Sequence, residues 1–352
     1  MTSPTSFSPP VQAALDSIDE NSYTQQPNGT RIPQSSARLV IAGMLDLLAI
    51  EPGMRVLEIG TGSGYSTALL SQLVGDDGHI ISVEIDRTLT ARADLLLHLD
   101  GRRNADLIAG DGVQGAPGFR DHFHRIIAWA TVEQIPGAWA AQAARGAILV
   151  APVNLTGLPK THAVVRARYD ATIPGFAGEK LIPGGFVEAH DLVIDQWLVP
   201  PFGVDVLAHD DDDKPWWLSA HWLRTRSSQQ TGRDLLDRLI TGSRTVPGPL
   251  TAAENGADFY AYLLAARPQG LTTAAFGDPT WRIGYSNPTG AALIPIDEGE
   301  VIVHTGGLIA HHQLLDWAER WRSLGRPGYA HLRPQLHHVE CGWQVRAALD
   351  SR

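Results

Sequence analysis

The chain has one cysteine, Cys341, and little basic charge for its 352 residues. A single cysteine excludes an intrachain disulfide, which fits a reducing, cytoplasmic compartment. Lysine and arginine number 28 against 38 acidic residues, a net charge of −10, and this argues against a nucleic-acid binder that works through a basic face. No apolar run reaches 18 residues and residues 1–10 do not resemble a signal peptide, so we expect neither membrane insertion nor export.

Tryptophan is missing from the first 128 residues, although the chain has ten, and eight of them follow residue 190. This shift in composition predicts two units of different character. We expect a flexible N-terminal segment over residues 1–22, a ligand-binding domain over 23–195, and an α+β extension over 196–352. The extension is expected to bind substrate or to mediate homodimerisation.

The first unit alternates strand and helix patterns. Short apolar runs predict strands at Arg55–Ile59, His79–Ile85, Ala105–Ala109, Arg125–Ala130 and Ala147–Pro152. Helical spacing of apolar residues predicts helices at Gln34–Ile50, Tyr65–Val74, Thr88–Leu99 and Ala138–Ala144. Such an alternation indicates an α/β fold with a doubly wound, Rossmann-like parallel sheet.

Patterns in the later part of the chain are weaker. They predict strands at Thr161–Tyr169, Asp191–Leu198, Trp281–Tyr285 and Val301–His304. They also predict helices at Asp234–Ile240, Asp258–Ala265 and Gly307–Leu324. Neither His311-His312 nor His337-His338 belongs to a metal-ligand pattern, so no metal is expected. The segment Trp216–Trp222 is either a peptide-binding wall or, by our preference, part of the extension's core.

The strongest motif is a glycine loop between the first strand and the next helix. Gly60, Gly62 and Gly64 are spaced G-x-G-x-G, and Glu58 stands two residues before the first of them. Glycines let a ligand approach the backbone, and the amides of the following helix face that ligand. Dinucleotide sites use G-x-G-x-x-G instead, which leaves a nicotinamide oxidoreductase as a weaker alternative. The spacing is typical of class I methyltransferases, which bind S-adenosylmethionine (SAM) and release S-adenosylhomocysteine (SAH).

Two further carboxylates end the next two strands. Glu84 is placed to accept the ribose hydroxyls, and Asp111, or the amides beside it, to read the adenine amine. Glu58 suits the positive charge of the cofactor's sulfonium and amino groups. The predicted cofactor-binding residues are Glu58, Gly60, Thr61, Gly62, Ser63, Gly64, Tyr65, Glu84, Ile85, Asp111 and Gly112.

The chain resembles the protein-L-isoaspartate O-methyltransferases over about residues 23–190. The segment 55–68, Arg-Val-Leu-Glu-Ile-Gly-Thr-Gly-Ser-Gly-Tyr-Ser-Thr-Ala, is very similar to theirs, as are Asp111-Gly112 and Arg125-Ile126-Ile127. The resemblance implies a class I SAM-dependent methyltransferase fold and carboxyl O-methylation of an aspartyl-type residue. An aspartyl-type carboxylate is already ionised at neutral pH, so its methylation needs alignment and not a general base.

The same resemblance places the family's active-site serine on Ser36, or on Ser35 if the register slips by one residue. Ser36 would aim the substrate carboxylate, although either serine could instead cap the following helix. The residues matched to the family's substrate cleft are Ser35, Trp129, Phe186 and Val187. Departures from the family also lie there, with Arg38 and Glu188 in place of prolines and Trp129–Val132 in place of Thr-Ala-Ala-Pro.

The long extension resembles that of methyltransferases encoded with ribosomally made, modified peptides. That branch implies methylation of an aspartate in a constrained precursor peptide, followed by closure to an aspartimide. Our principal hypothesis is this reaction, with isoaspartyl repair of peptides or proteins as the alternative. A catalytically silent peptide-binding protein on the same fold is a third hypothesis, which the intact cofactor motif argues against.

Overall fold

The computed structural model describes residues 7–33, 35–172, 175–187, 189, 200–201, 203–278, 280–296, 300–303 and 308–350, the backbone alone at 300, 302 and 303. The helices are α1 Pro9–Ser17, α2 Glu20–Thr24, α3 Arg38–Leu48, α4 Tyr65–Val74, α5 Arg87–Leu99, α6 Gly137–Gln142, α7 Gln229–Gly242, α8 Gly256–Ala266 and α9 Ile309–Ser323. The predicted strand Asp191–Leu198 and the boundary between the two predicted units lie outside the described residues.

The first sheet has seven strands. They are β1 Arg55–Ile59, β2 His79–Glu84, β3 Ala105–Ala109, β4 Phe123–Ala128, β6 Ala143–Asn154, β7 His162–Asp170 and β8 Gly175–Ile182, while β5 is the two-residue strand Ile135–Pro136. The order is β3-β2-β1-β4-β6-β7-β8. Its first five strands are parallel and β7 is antiparallel to both neighbours. The predicted parallel α/β sheet is confirmed.

The two faces of this sheet are covered by different parts of the chain. Val56 and Ile127 point into a core formed with α1, α3 and α4. Leu57 and Ile126 point to the opposite face, into a core that also contains Phe259 of α8 and residues of α9. Successive side chains of a strand point to opposite faces of the sheet, so neighbouring residues enter different cores. The extension therefore shares a continuous hydrophobic core with the ligand-binding domain.

The extension itself is built on an antiparallel sheet. Its strands are β9 Val206–His209, β10 Pro215–Ala220, β11 Arg244–Pro247, β12 Leu271–Phe276, β13 Arg282–Asn287, β14 Gly290–Pro295 and β15 Glu300–Val303, in the order β11-β15-β14-β13-β12-β10-β9. Helix α7 packs on one face, where its leucines share a hydrophobic core with Ala274 and Leu293. Helices α8 and α9 pack toward the other face, beside Ile283.

A third, three-stranded sheet joins the two parts of the chain. The strands β16 Leu332–Val339 and β17 Gly342–Leu349 form a hairpin, and β17 pairs with β5. The amide of Gly137 also donates to the carbonyl of Cys341 at 2.9 Å. Because β5 closely follows β4, the extension is attached near the carboxyl edge of the parallel sheet.

The N-terminal segment differs from our expectation of flexibility. Val11 and Leu15 of α1 are buried against α3 and α4. Ser8 donates to the carboxylate of Asp46 on α3 through both its amide and its hydroxyl. The two prolines at the start of α1 are compatible with a helix N-terminus, where no amide donor is needed. Within the described residues, no helix has the length and apolar character needed to cross a membrane.

Candidate SAM site

The glycine loop connects β1 to α4 and lies at the carboxyl edge of the sheet. Gly60, Gly62 and Gly64 have φ angles of +90°, +52° and +86°, which other residues rarely adopt. A Cβ atom at Gly64 would lie 2.9 Å from the Cβ of Ala93 on α5. The loop thus needs glycine both for its backbone angles and for its close contact with α5.

Glu84, at the end of β2, holds the loop from the side. Its Oε2 accepts from the amide of Gly62 at 2.8 Å, and its Oε1 accepts from the amide of Asp86 at 3.0 Å. Each carboxylate oxygen therefore has one of these donors and can accept another bond. Two free acceptor positions on one carboxylate suit the two adjacent hydroxyls of a ribose.

Glu58 is fully buried beneath the loop. Its carboxylate accepts four hydrogen bonds of 2.5–2.8 Å, from the hydroxyls of Ser66, Thr67 and Ser82 and from the indole of Trp129. Burial raises the pKa of Glu58, and the four donors oppose that effect. Because these donors occupy its oxygens, we correct the expectation that Glu58 faces the cofactor's positive charge. It supports the loop from behind.

Arg92 on α5 helps to hold the glycine loop in place, a role that the sequence patterns did not indicate. Its guanidinium donates to the carbonyls of Tyr23 at 2.7 Å, Gln25 at 2.8 Å and Ser63 at 3.3 Å. It therefore ties the glycine loop to the end of α2. Nothing in the local sequence distinguishes Arg92 from an exposed helix arginine, because its partners are 29 to 69 residues away.

We expect Arg92→Ala to weaken SAH binding by about tenfold, because the loss of one or two net hydrogen bonds costs about 1.4 kcal/mol. Arg87→Ala is the matched control, since Arg87 is an exposed arginine on the same helix. Isothermal titration calorimetry with SAH measures both variants. Equal SAH affinities in the two variants would contradict the assigned role.

Asp111 and Gly112 lie at the end of β3, next to the loop. Asp111 Oδ1 accepts from the amide of Val113 at 2.9 Å and begins a short 3₁₀ turn. A Cβ atom at Gly112 would lie 2.4 Å from Cγ2 of Ile59, so the turn fits closely against the end of β1. The indole of Trp139 donates to the carbonyl of Gly112 at 2.8 Å. This turn therefore borders the loop on the β3 side.

The other predicted loop residues are held by the protein. Thr61 is buried, and its hydroxyl lies 2.6 Å from that of Ser82. Ser63 is buried, with its Oγ 3.4 Å from the amide of Tyr65, and Ile85 is half-buried directly after Glu84. These contacts set the shape of the loop in advance of ligand binding.

Of the predicted substrate-cleft residues, Trp129, Phe186 and Val187 lie together beside the end of β4. The rings of Trp129 and Phe186 are 6.2 Å apart. Thr131 donates its amide to the carbonyl of Val187 at 2.7 Å and accepts from the amide of Ala189 at 2.7 Å. The segment around Phe186 is thereby fixed beside the end of β4. Glu188 lies outside the described residues.

The two candidate serines precede α3. The N-cap of α3 is Ala37 and no side chain caps the helix, so the interpretation of Ser35 or Ser36 as a cap is wrong. The Ser36 carbonyl accepts from Arg31 at 3.4 Å, and Arg31 pairs with Glu20 at 2.7 Å. Ser35 Oγ is buried and has no hydrogen-bond partner among the described residues.

The tryptophan clusters of the extension belong to its packing. Trp217 is buried, and Trp216 stacks on Phe276 while its indole donates to Asp210. Trp317 and Trp321 are buried in the core beside α8, as their spacing predicts. In the described part of the chain, no group of three or more histidine, cysteine, aspartate or glutamate side chains could hold a metal ion.

Three features lie at the ends of adjacent strands of this α/β sheet: the glycine loop, the Glu84 carboxylate at the end of β2, and the turn after β3. This arrangement defines a class I SAM-dependent methyltransferase. The residues fit the cofactor. Glu84 retains acceptor positions for the ribose, the glycines leave room for close approach, and Asp111 lies one strand further for the adenine. When bound, SAM supplies an electrophilic methyl group.

Comparison with known proteins identifies the family. The family model "Protein-L-isoaspartate(D-aspartate) O-methyltransferase (PCMT)" matches residues 11–175. A protein-L-isoaspartate O-methyltransferase of Ignicoccus hospitalis is 33% identical over 153 residues, or 43% of this chain and 70% of its own length. One from Nitrobacter winogradskyi is 32% identical over 193 residues, or 48% of this chain and 87% of its own length. The chain belongs to the protein-L-isoaspartate O-methyltransferase family.

A third relative, from Anaeromyxobacter dehalogenans strain 2CP-C, is 41% identical over 153 residues, or 43% of this chain and 70% of its own length. Among solved structures, a protein-L-isoaspartate O-methyltransferase aligns with a TM-score of 0.49 and 18% identity, covering 98% of this chain and 95% of the other. The family match ends at residue 175, so the extension lies beyond it.

Proposed function

We propose that the protein transfers the methyl group of SAM to the free carboxylate of an isoaspartyl residue in a peptide or protein. The observation that carries this proposal is the position of the family match along the chain. Residues 11–175 include the glycine loop, Glu84 and Asp111, which we assign to the cofactor, and Trp129, which we assign to the substrate side. Relatives that match this region are named for that reaction.

The chemistry requires positioning more than proton transfer. The free carboxylate of an isoaspartyl residue is an α-carboxylate, whose usual pKa of about 3.5 leaves it ionised at neutral pH, so its oxygen can accept a methyl group without a general base. Alignment of reacting groups and exclusion of water then supply the acceleration. Glu84 and the loop fix the cofactor, while Trp129 and Phe186 form an apolar wall on the substrate side.

Ser36 is the residue we assign to aiming the substrate carboxylate. We expect Ser36→Ala to lower kcat/KM by about 10- to 100-fold, the effect of one lost hydrogen bond to a charged group. The melting temperature should stay unchanged, because Ala37 and not Ser36 caps α3. Ser36→Thr keeps a hydroxyl and serves as the control. Full activity of Ser36→Ala would remove Ser36 from the mechanism.

A modified precursor peptide remains a second candidate substrate because the extension lies next to the predicted substrate cleft. Val132, at the end of the segment Trp129–Val132, forms a bridge with Val153 of β6, and the loop between β6 and β7 follows soon after Val153. The extension covers this loop, since Tyr260 donates its hydroxyl to the Lys160 carbonyl at 2.7 Å and the Lys160 ammonium lies 3.8 Å from the centre of the Trp281 ring. An extension beside the cleft could select a constrained peptide. The methyl ester formed on its aspartate would then lose methanol and close to an aspartimide.

Three peptides distinguish these substrates. The purified protein is incubated with SAM and a linear isoaspartyl peptide, its aspartyl twin, or a macrocyclic modified precursor peptide from the same gene neighbourhood. Our proposal predicts a mass gain of one methyl group on the isoaspartyl peptide and none on its twin. Methylation of the macrocycle alone, followed by loss of methanol, would overturn it in favour of peptide tailoring.

That the protein forms a homodimer and that it is located in the cytoplasm stay predictions.

A further inference from the structure

The segment 129–137, which follows β4, lies between the predicted substrate cleft and the extension. It begins at Trp129, whose amide donates to the carbonyl of Ile59 at 2.9 Å, and it ends where α6 begins at Gly137. Between these ends, only the two residues of β5 belong to a helix or a strand. Because no long element fixes this backbone, the partners of its amides and carbonyls determine its position.

The middle of this segment holds the wall of the predicted cleft. The amide of Thr131 donates to the carbonyl of Val187, and its carbonyl accepts from the amide of Ala189, both at 2.7 Å. The hydroxyl of Thr131 also donates to the carbonyl of Phe186 at 3.0 Å. Three hydrogen bonds of one residue therefore fix the backbone that carries Phe186 and Val187. Any shift of Thr131 would move this wall.

Strand β17 is the first attachment of the segment to the extension. It pairs with β5 in the antiparallel direction, and the amide of Gly137 donates to the carbonyl of Cys341 at 2.9 Å. A Cβ atom at Gly342 would overlap the carbonyl oxygen of Ile135 and would lie 3.0 Å from the amide nitrogen of Gly137. The two backbones are thus in direct contact, and the hairpin of β16 and β17 sets the position of residues 135–137.

The loop between β6 and β7 provides a second attachment. Asn154, the last residue of β6, donates its amide to the carbonyl of Val132 at 3.0 Å. Its side-chain oxygen accepts from the amide of Gly157 in the loop at 2.8 Å. From the extension, Arg224 donates to the carbonyl of Gly157 at 2.5 Å, and Tyr260 donates to a second carbonyl of the same loop. The extension therefore holds the loop that orders the partner of Val132.

We propose that the extension positions the wall of the substrate cleft through segment 129–137, and thereby sets the affinity for the peptide without acting on the cofactor. Gly342 and Tyr260 are then positioning residues, since neither is assigned to the cofactor or to the peptide. The peptide as ligand rests on the proposed function. Glu84 bonds two backbone amides outside the extension, so SAH binding should not depend on this attachment.

Gly342→Ala tests the attachment through β17, because the added methyl group displaces the backbone of Ile135. We expect the KM for the isoaspartyl peptide to rise about tenfold, since misplacement by about 1 Å can cost up to about 100-fold. The Kd for SAH in calorimetry should stay within twofold. Loss of folded protein would instead lower kcat and the number of SAH sites at an unchanged KM. The matched control is His337→Ala, at an exposed position of β16 in the same hairpin.

Tyr260→Phe tests the attachment through the loop and removes only one hydroxyl, so this variant should fold even if Gly342→Ala does not. We expect its peptide KM to rise about threefold, the effect of one net hydrogen bond, with an unchanged Kd for SAH. The matched control is Tyr285→Phe, because the hydroxyl of Tyr285 accepts from Asn287 within the extension at 3.1 Å. This control should leave the peptide KM within the range of wild type.

Hydrogen exchange supplies a readout that needs no substrate. In Gly342→Ala and Tyr260→Phe we expect the amides of Thr131 and Ala189 to exchange about tenfold faster than in wild type, and the amide of Gly62 at the wild-type rate. Wild-type exchange at Thr131 and Ala189 in the folded variants would overturn the proposal, as would a peptide KM within twofold of wild type. If wild type methylates no peptide, the proposed function falls, and the exchange rates alone decide this proposal.

Discussion

Replacement of Glu84 by alanine is expected to weaken SAH binding by about 100-fold or more. The carboxylate holds the amide of Gly62 and retains acceptor positions for two ribose hydroxyls. Hydrogen bonds to a charged group contribute about 1.5–3 kcal/mol each, and two of them correspond to at least a 100-fold change in Kd. Calorimetric titration with SAH measures the effect.

Glu84→Gln and Asp106→Asn are the controls for this variant. The glutamine keeps one carbonyl oxygen and should lose less affinity than the alanine. Asp106 is a largely exposed acidic residue on the adjacent strand β3, and its replacement should leave the SAH Kd within twofold. An unchanged Kd in Glu84→Ala would show that this carboxylate does not contact the cofactor.

The second large effect is expected at Glu58, where alanine should lower the free energy of unfolding by about 4 kcal/mol. Three hydroxyls and the indole of Trp129 would lose their common acceptor inside the protein. Buried donors without partners cost about 1–3 kcal/mol each, partly recovered by relaxation and water. Urea denaturation measures the change.

Glu58→Gln separates charge from hydrogen bonding. Its amide carbonyl can still accept from the Trp129 indole, and the hydroxyls can turn to accept from its amide group, so we expect a loss of about 1–2 kcal/mol. A loss below about 1 kcal/mol in Glu58→Ala would contradict the view that this carboxylate supports the loop.

The parallel sheet was predictable because its elements carry their own local signals. Helix α4 was predicted with its observed bounds, Tyr65–Val74, and β1 likewise. Each strand there is a short apolar run followed by a turn and an amphipathic helix. The N-terminal helices were missed even though Pro9 and Pro10 are compatible with a helix start.

The extension was harder to predict because its sheet depends on pairing between distant residues. Strand β10 falls in the tryptophan-rich segment, whose pattern does not alternate. Strand β5 has two residues and exists through its pairing with β17, about 200 residues later. Helices α8 and α9 were found because their apolar spacing is local.

For the site, the sequence predicted which strand ends carry polar groups but not what those groups contact. Glu84 lies where expected, beside the loop. Glu58 turns away from it because Ser66 and Thr67 in the first turn of α4 face inward as donors. The role of Arg92 becomes recognisable only through its tertiary contacts.

The most direct test of the proposed reaction is to locate the transferred methyl group. The wild-type protein is incubated with SAM carrying an isotopically labelled methyl group and with a linear isoaspartyl peptide, and the product is fragmented in a mass spectrometer. The account predicts the label on the carboxyl group of the isoaspartyl residue, followed by its release as labelled methanol. SAH binding without label on any carboxyl of the peptide would contradict it.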